Sequence, residues 1–116
     1  MIQHNKIEKH HIIFKSQGGL DFPLNFKYLS AIEHRGDESP HMNRSIDLKY
    51  KEQLERYLRG ILTDKHYSIE EAIQVLELKP KQAYKAFKQV SKTSKGMDKE
   101  DVIFRLLGNR YYIGAD

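Results

Sequence analysis

From Ser45 to Leu62 the apolar side chains Ile46, Tyr50, Leu54, Tyr57, Leu58 and Ile61 recur at helical spacing, so they fall on one face of a single long helix. This is the longest such pattern in the 116 residues. It is read as core rather than as a binding face, and the shorter elements around it must find their packing against it. Cysteine is absent, which removes disulfides, thiolate-bound zinc and thiol catalysis as means of holding or using the fold.

Upstream of that helix, Lys6 to Phe14 mixes Ile7, Ile12, Ile13 and Phe14 with polar neighbours and predicts a first strand. Ser16-Gln17-Gly18-Gly19 interrupts it, because paired glycines supply the positive φ angles of a reversal. Asp21-Phe22-Pro23 continues the loop, and Phe26-Lys27-Tyr28-Leu29 predicts a second strand able to pair with the first. Ser30 followed by Glu33 forms a capping box for a short helix through His34 toward Gly36, and Asp37-Glu38-Ser39-Pro40 is loop.

Downstream, Thr63 to Tyr67 reads as a hinge or linker. Ser68-Ile69-Glu70-Glu71 is a second capping box, ahead of Ala72, Ile73, Val75 and Leu76. Lys79-Pro80 ends that helix and opens another with Ala83, Tyr84, Phe87 and Val90 on its apolar side; Asp98 caps a last helix carrying Val102, Ile103, Leu106 and Leu107, closed by Gly108. Three short helices are therefore expected, with a basic middle member. The Leu76-Glu77-Leu78-Lys79-Pro80 turn loosely resembles that of a helix-turn-helix DNA reader, but a helical cap that completes the core is the simpler reading.

The net charge of +4 and pI near 9.2 are mild. Their distribution is more informative: Lys79 to Lys95 holds six lysines and no acidic residue, so the C-terminal third is either a phosphate-contacting surface or a solvated face. Neither a leader-like apolar run at Met1-Ile2-Gln3-His4 nor a bilayer-spanning stretch is present, and a soluble, cytoplasmic protein is expected.

The chemistry concentrates near the N-terminus. His10-His11 lies in Glu8-Lys9-His10-His11-Ile12-Ile13, Gly18-Gly19 follows, then Asn25, then His34 in Ile32-Glu33-His34-Arg35-Gly36. Hydrolysis of a phosphodiester needs a positioned water, a base for its proton, and a cation to neutralise charge on the phosphorane and the departing oxygen. Neighbouring side chains on a strand point to opposite faces, so one imidazole of the pair can face a metal and the other the substrate. His4 and His66 fit no part of this arrangement and are taken as exposed.

In order and spacing these residues resemble the HNH family of metal-dependent nucleases, over Ile7 to Asn43. The resemblance implies a ββα-metal core in which His10 is a metal ligand, His11 the general base, Asn25 the brace of the hairpin and of the catalytic imidazole, and His34 the second ligand. Arg35 would touch a phosphate. Two departures stand out. Many relatives carry Cys-x-x-Cys zinc knuckles, absent here, and nuclease colicins place a further histidine where this chain has Glu38. The next imidazole is His41, which either completes the metal shell, binds phosphate from the loop or stands aside.

The expected architecture is thus α+β: an HNH hairpin-plus-helix core packed on a longer helix over residues 1–62, and a basic three-helix subdomain over residues 63–116. The expected activity is that of a DNA endonuclease similar to small phage-encoded HNH proteins, nicking or cutting both strands. It would use one divalent cation, Mg2+ or Mn2+ foremost with Zn2+ or Ni2+ as alternatives. Activity should rise from acid toward neutral pH, since His11 must be neutral to accept a proton. Arg35, Lys81, Lys85, Lys88 and Lys92 are the candidate DNA contacts. The competing expectation is a DNA-binding or packaging accessory that uses the basic helices without catalysis. No surface in the sequence announces a homodimer, which simultaneous cutting of both strands would need.

Overall fold

A computed structural model describes residues 6–114. His4 lies outside the described residues. The fold is a mixed α+β arrangement. Strand β1 (Ile7–His11) pairs antiparallel with β2 (Phe26–Ser30), setting His10 opposite Lys27 and His11 opposite Phe26. Helix α1 (Ala31–Arg35) leaves β2 directly, and the long α2 (Arg44–Ile61) follows a short loop. The C-terminal half contains β3 (His66–Tyr67), α3 (Ile69–Leu76), α4 (Pro80–Ala86), β4 (Lys92–Thr93), β5 (Gly96–Asp98) and α5 (Lys99–Leu106).

The local signals behave as their chemistry dictates. Ser30 and Glu33 form the reciprocal capping box of α1, and Ser68 and Glu71 that of α3; the Asp98 side chain accepts from the Glu100 amide at the start of α5. Asn43 caps α2, its side chain accepting from the amides of Ser45 and Ile46. Pro80 sits in the first turn of α4, where its missing donor costs nothing.

The reversal after β1 depends on its glycines. Gly18 has φ of +89°, and a Cβ on Gly19 would lie 1.8 Å from the Ile13 carbonyl oxygen. Neither position admits a side chain without moving the backbone. The loop folds back tightly because Asn25 is wholly buried within it: Oδ1 accepts from the Ile13 amide at 2.7 Å, and Nδ2 donates to the carbonyls of Ile13 and Leu20 at 3.1 and 2.9 Å.

Three expectations need correction. The expected hinge at Thr63 to Tyr67 contains β3, which pairs with β5 in a three-stranded sheet of order β3-β5-β4, so the C-terminal segment is not helical throughout. The β4–β5 turn carries no strong alternation, and its two short strands hold by tertiary pairing. His66, taken as exposed, is half-buried in β3 opposite Asp98.

The third correction concerns α2. Leu54 and Leu58 are fully buried, but Tyr57 and Ile61 are exposed, at 60% and 42%. The buried face is rotated and carries Asp47, Lys51 and Glu55. Each of these polar groups has fixed partners: Lys51 Nζ lies 2.6 Å from Asp47 Oδ1, and Glu55 Oε1 accepts from the amides of Tyr112 and Ile113. A periodicity count reads apolar residues only, and it misses a face whose charges are satisfied internally.

The apolar core is continuous along the chain. Ile12, Ile13 and Phe22 from the first loop join Leu54 and Leu58 of α2, and the same cluster includes Phe87, Ile103 and Leu106. Arg105 of α5 reaches across to the Gly18 carbonyl at 3.0 Å, which ties the C-terminal elements to the first reversal.

Candidate metal centre

His10, His34 and His41 meet on one side of the hairpin. Their ligand atoms all lie within 4.8 Å of one another, and the Nε2 atoms of His34 and His41 are 3.1 Å apart. Two imidazole nitrogens bound to one tetrahedral ion stand about 3.3 Å apart, from metal–nitrogen bonds near 2.0–2.1 Å. That pair therefore already has ligand spacing. Three different elements supply the trio: β1 gives His10, α1 gives His34, and the loop before α2 gives His41.

The third nitrogen is poised in a different sense. His10 is 1% exposed, and its Nε2 is a buried polar atom with no hydrogen-bond partner among the described residues. Such an atom costs free energy unless something pairs with it. A cation held jointly with His34 and His41 supplies that partner, so the donor set fits a single metal ion.

The surroundings hold these rings in ligand form. Glu8 Oε1 accepts from His34 Nδ1 at 2.9 Å, which fixes the proton on Nδ1 and leaves the Nε2 lone pair facing His41. The hydrogen bond from His34 holds the Glu8 carboxyl below the usual carboxylate range, and the charge of Arg35 helps. Burial pushes the His10 imidazole down to about 4, with repulsion from His41 and His34 adding to it. Burial lowers His41 as well. His10 and His41 are therefore held toward the neutral state that metal binding requires. Phe14 walls the site, stacking on His41 and meeting His10 edge-on, and the buried Lys51 ammonium lies 3.9 Å from the centre of its ring.

His11 turns the other way. Its Nε2 lies 2.6 Å from Asp21 Oδ1, and its ring meets Phe26 edge-on. Among the described residues Nδ1 forms no hydrogen bond. His10 and His11 thus work on opposite faces of β1, the first against α1 and the following loop, the second against the loop after Gly19.

The remaining candidate residues divide. The Asn25 side chain hydrogen-bonds to backbone groups of Ile13 and Leu20, and among the described residues it forms no hydrogen bond to an imidazole. Arg35 pairs with Glu8 Oε2 at 2.8 Å while most of its side chain stays exposed. Lys81 and Lys85 lie exposed on α4, and Lys88 lies exposed just past its end. Lys92 is in β4, where its ammonium donates to the carbonyls of Phe87 and Val90 and so closes the turn after α4. A cleft of about 280 Å³ runs between the Gly18-Gly19 loop and α4, with Lys15, Lys85 and Arg105 in its wall beside Asp21.

The sequence reading did not single out Glu8, Asp21 or Gln82. Glu8 had a local signal, since it stands two residues before His10 and so shares its strand face. Asp21 and Gln82 are 61 residues apart, and nothing local links them. Compared with protein-family models, curated proteins and solved structures, the chain finds no match in any of the three.

Proposed function

We propose that this chain is a divalent-cation-dependent endonuclease of the HNH type, with β1, β2 and α1 as a ββα-metal core, and that it hydrolyses DNA phosphodiester bonds. The observation that carries the reading is the convergence of His10, His34 and His41, while the neighbouring His11 is held by a carboxylate on the opposite strand face. A stabilising site alone would account for the trio and leave the His11–Asp21 pair without a purpose.

His10, His34 and His41 would hold the cation. When bound, it supplies positive charge to the phosphorane and to the departing oxygen. His11 accepts through Nδ1 the proton of the attacking water as the new P–O bond forms. The P–O3′ bond breaks, the 3′ oxygen takes a proton from solvent, and the products are a 5′-phosphate and a 3′-hydroxyl. Glu8 orients His34, and Arg35, anchored through Glu8, presents its free N–H groups to a neighbouring phosphate. Mg2+ and Mn2+ are the first cations to test, while three imidazoles favour Zn2+ or Ni2+ in affinity.

The test is cleavage of supercoiled plasmid with each of these cations in turn. Cutting that EDTA abolishes and His11→Ala eliminates, with DNA binding retained, supports the assignment. Cutting that is undiminished in His11→Ala removes the base from the mechanism. A second reading draws on Lys81, Lys85 and Lys88, which form no ion pair among the described residues. A DNA-binding accessory protein using this face would bind DNA in a salt-sensitive way and cut it with none of the four cations.

A further inference from the structure

Asp21 does more than meet His11. Its Oδ1 faces His11 Nε2 at 2.6 Å, its Oδ2 accepts from Gln82 Nε2 at 2.8 Å, and its own amide donates to Gln82 Oε1 at 2.9 Å. The Asp21 and Gln82 groups therefore satisfy each other in a closed two-bond ring, which fixes the carboxylate plane. Lys15 Nζ and Lys79 Nζ each stand 3.8 Å from Oδ2, the oxygen that does not meet His11. Gln82 belongs to α4, and α4 is held in place by the buried Ala83 and Phe87. A rigid element far along the chain thus grips the group that grips the imidazole.

We propose that Asp21 and Gln82 are positioning residues that lock His11 as the Nε2–H tautomer, with Nδ1 as its one open acceptor, making α4 a working part of the site. A carboxylate accepts and never donates when ionised, so the proton must lie on Nε2. The hydrogen bond from His11, with that from Gln82, holds the Asp21 carboxyl down to about 2, which keeps the acceptor ionised throughout the range in which a neutral imidazole exists. Without Gln82, Asp21 loses the two hydrogen bonds that set its carboxylate plane and keeps on Oδ2 only the looser 3.8 Å approaches of Lys15 and Lys79. The catalytic side of the proposal rests on the reading of His11 as the proton acceptor; the tautomer does not.

Nitrogen-15 NMR of the histidine rings in the full chain, well above the imidazole titration range, reports the tautomer directly. Wild-type His11, assigned by its loss in His11→Gln, is expected to show a protonated Nε2 and a bare Nδ1. Asp21→Ala should move it toward a mixture of tautomers. Gln82→Ala, a half-buried change on a surface helix that leaves the core intact, should do so partially. In cleavage assays kcat should fall by about tenfold or more in Asp21→Ala with KM little changed. A wild-type His11 protonated on Nδ1, or a tautomer unmoved in both variants, overturns the proposal. If the tautomer shifts as expected while the wild-type protein cuts no DNA, the positioning network stands and the nuclease assignment falls.

Discussion

Glu8 and His34 are joined by a 2.9 Å hydrogen bond from Nδ1 to the carboxylate, and this bond decides which nitrogen of His34 faces His41. Without it the imidazole could present either nitrogen, and the 3.1 Å approach of the two Nε2 atoms would be one geometry among several.

Metal binding should therefore raise stability and should depend on all three histidines. At a hundredfold excess over its dissociation constant a cation stabilises by about 2.7 kcal/mol, roughly 10 °C in melting temperature for a chain of this size. Differential scanning calorimetry with Zn2+, Ni2+ and Mn2+ is expected to show that rise for at least one cation. His34→Ala should abolish it, and Glu8→Gln should weaken the affinity by about tenfold or more. Equal stabilisation of wild type and His34→Ala would place the metal elsewhere.

In chelator-treated protein, stability should depend on pH through His10. Burial holds its folded-state pKa down to about 4, against 6.5 in the unfolded chain. Between these values the unfolded chain takes up a proton that the folded chain refuses. Stability is thus greatest above 6.5, falls as the pH drops toward about 4 and levels off below, with a total on the order of 3 kcal/mol. His41 is shifted the same way and adds to the slope. Urea unfolding across this window measures it, and His10→Phe should flatten most of the dependence.

The pair inside α2 should be fragile to single changes. Lys51 is fully buried, and Asp47 is nearly so. Lys51→Met leaves a buried carboxylate with the half-exposed Arg44 as its remaining ion-pair partner among the described residues, and should destabilise by about 3 kcal/mol. Replacing both residues with apolar ones of similar volume should recover most of that loss. Chemical denaturation of the two single variants and the double variant makes the comparison, and additive losses would contradict the pairing.

Asn25→Ala should cost about 3 kcal/mol, because it orphans the Ile13 amide and two carbonyls inside the reversal. Since that loop carries Asp21, the same variant should also loosen His11, seen as a wider spread of its ring signals by NMR. A variant as stable as wild type would mean that water replaces the carboxamide.

Much of the local structure was legible because its causes are local. Ser30 with Glu33, Ser68 with Glu71, and Pro80 in the first turn of α4 each mark a helix start within a few residues. The order of His10, Asn25 and His34 pointed to a hairpin and a helix bringing imidazoles together, and the first and last of these do meet. His41 was ambiguous, because its position depends on how the Gly36 to Asn43 loop closes. The buried face of α2 was misread, because a charged residue looks solvent-facing until its partner is known. Tyr112 meets Glu55 from 57 residues away.

The sequence by itself determined the helix starts, the glycine reversal and the residue types available for a metal and a base, since capping, φ preference and side-chain chemistry act over a few residues. Tertiary structure alone decided that His41 joins the trio, that Asp47 and Lys51 are buried as a pair, and that Gln82 of α4 holds Asp21 against His11. Those outcomes depend on contacts between segments distant along the chain, and a hydrogen bond or a ligand set spanning them leaves no periodic or local trace.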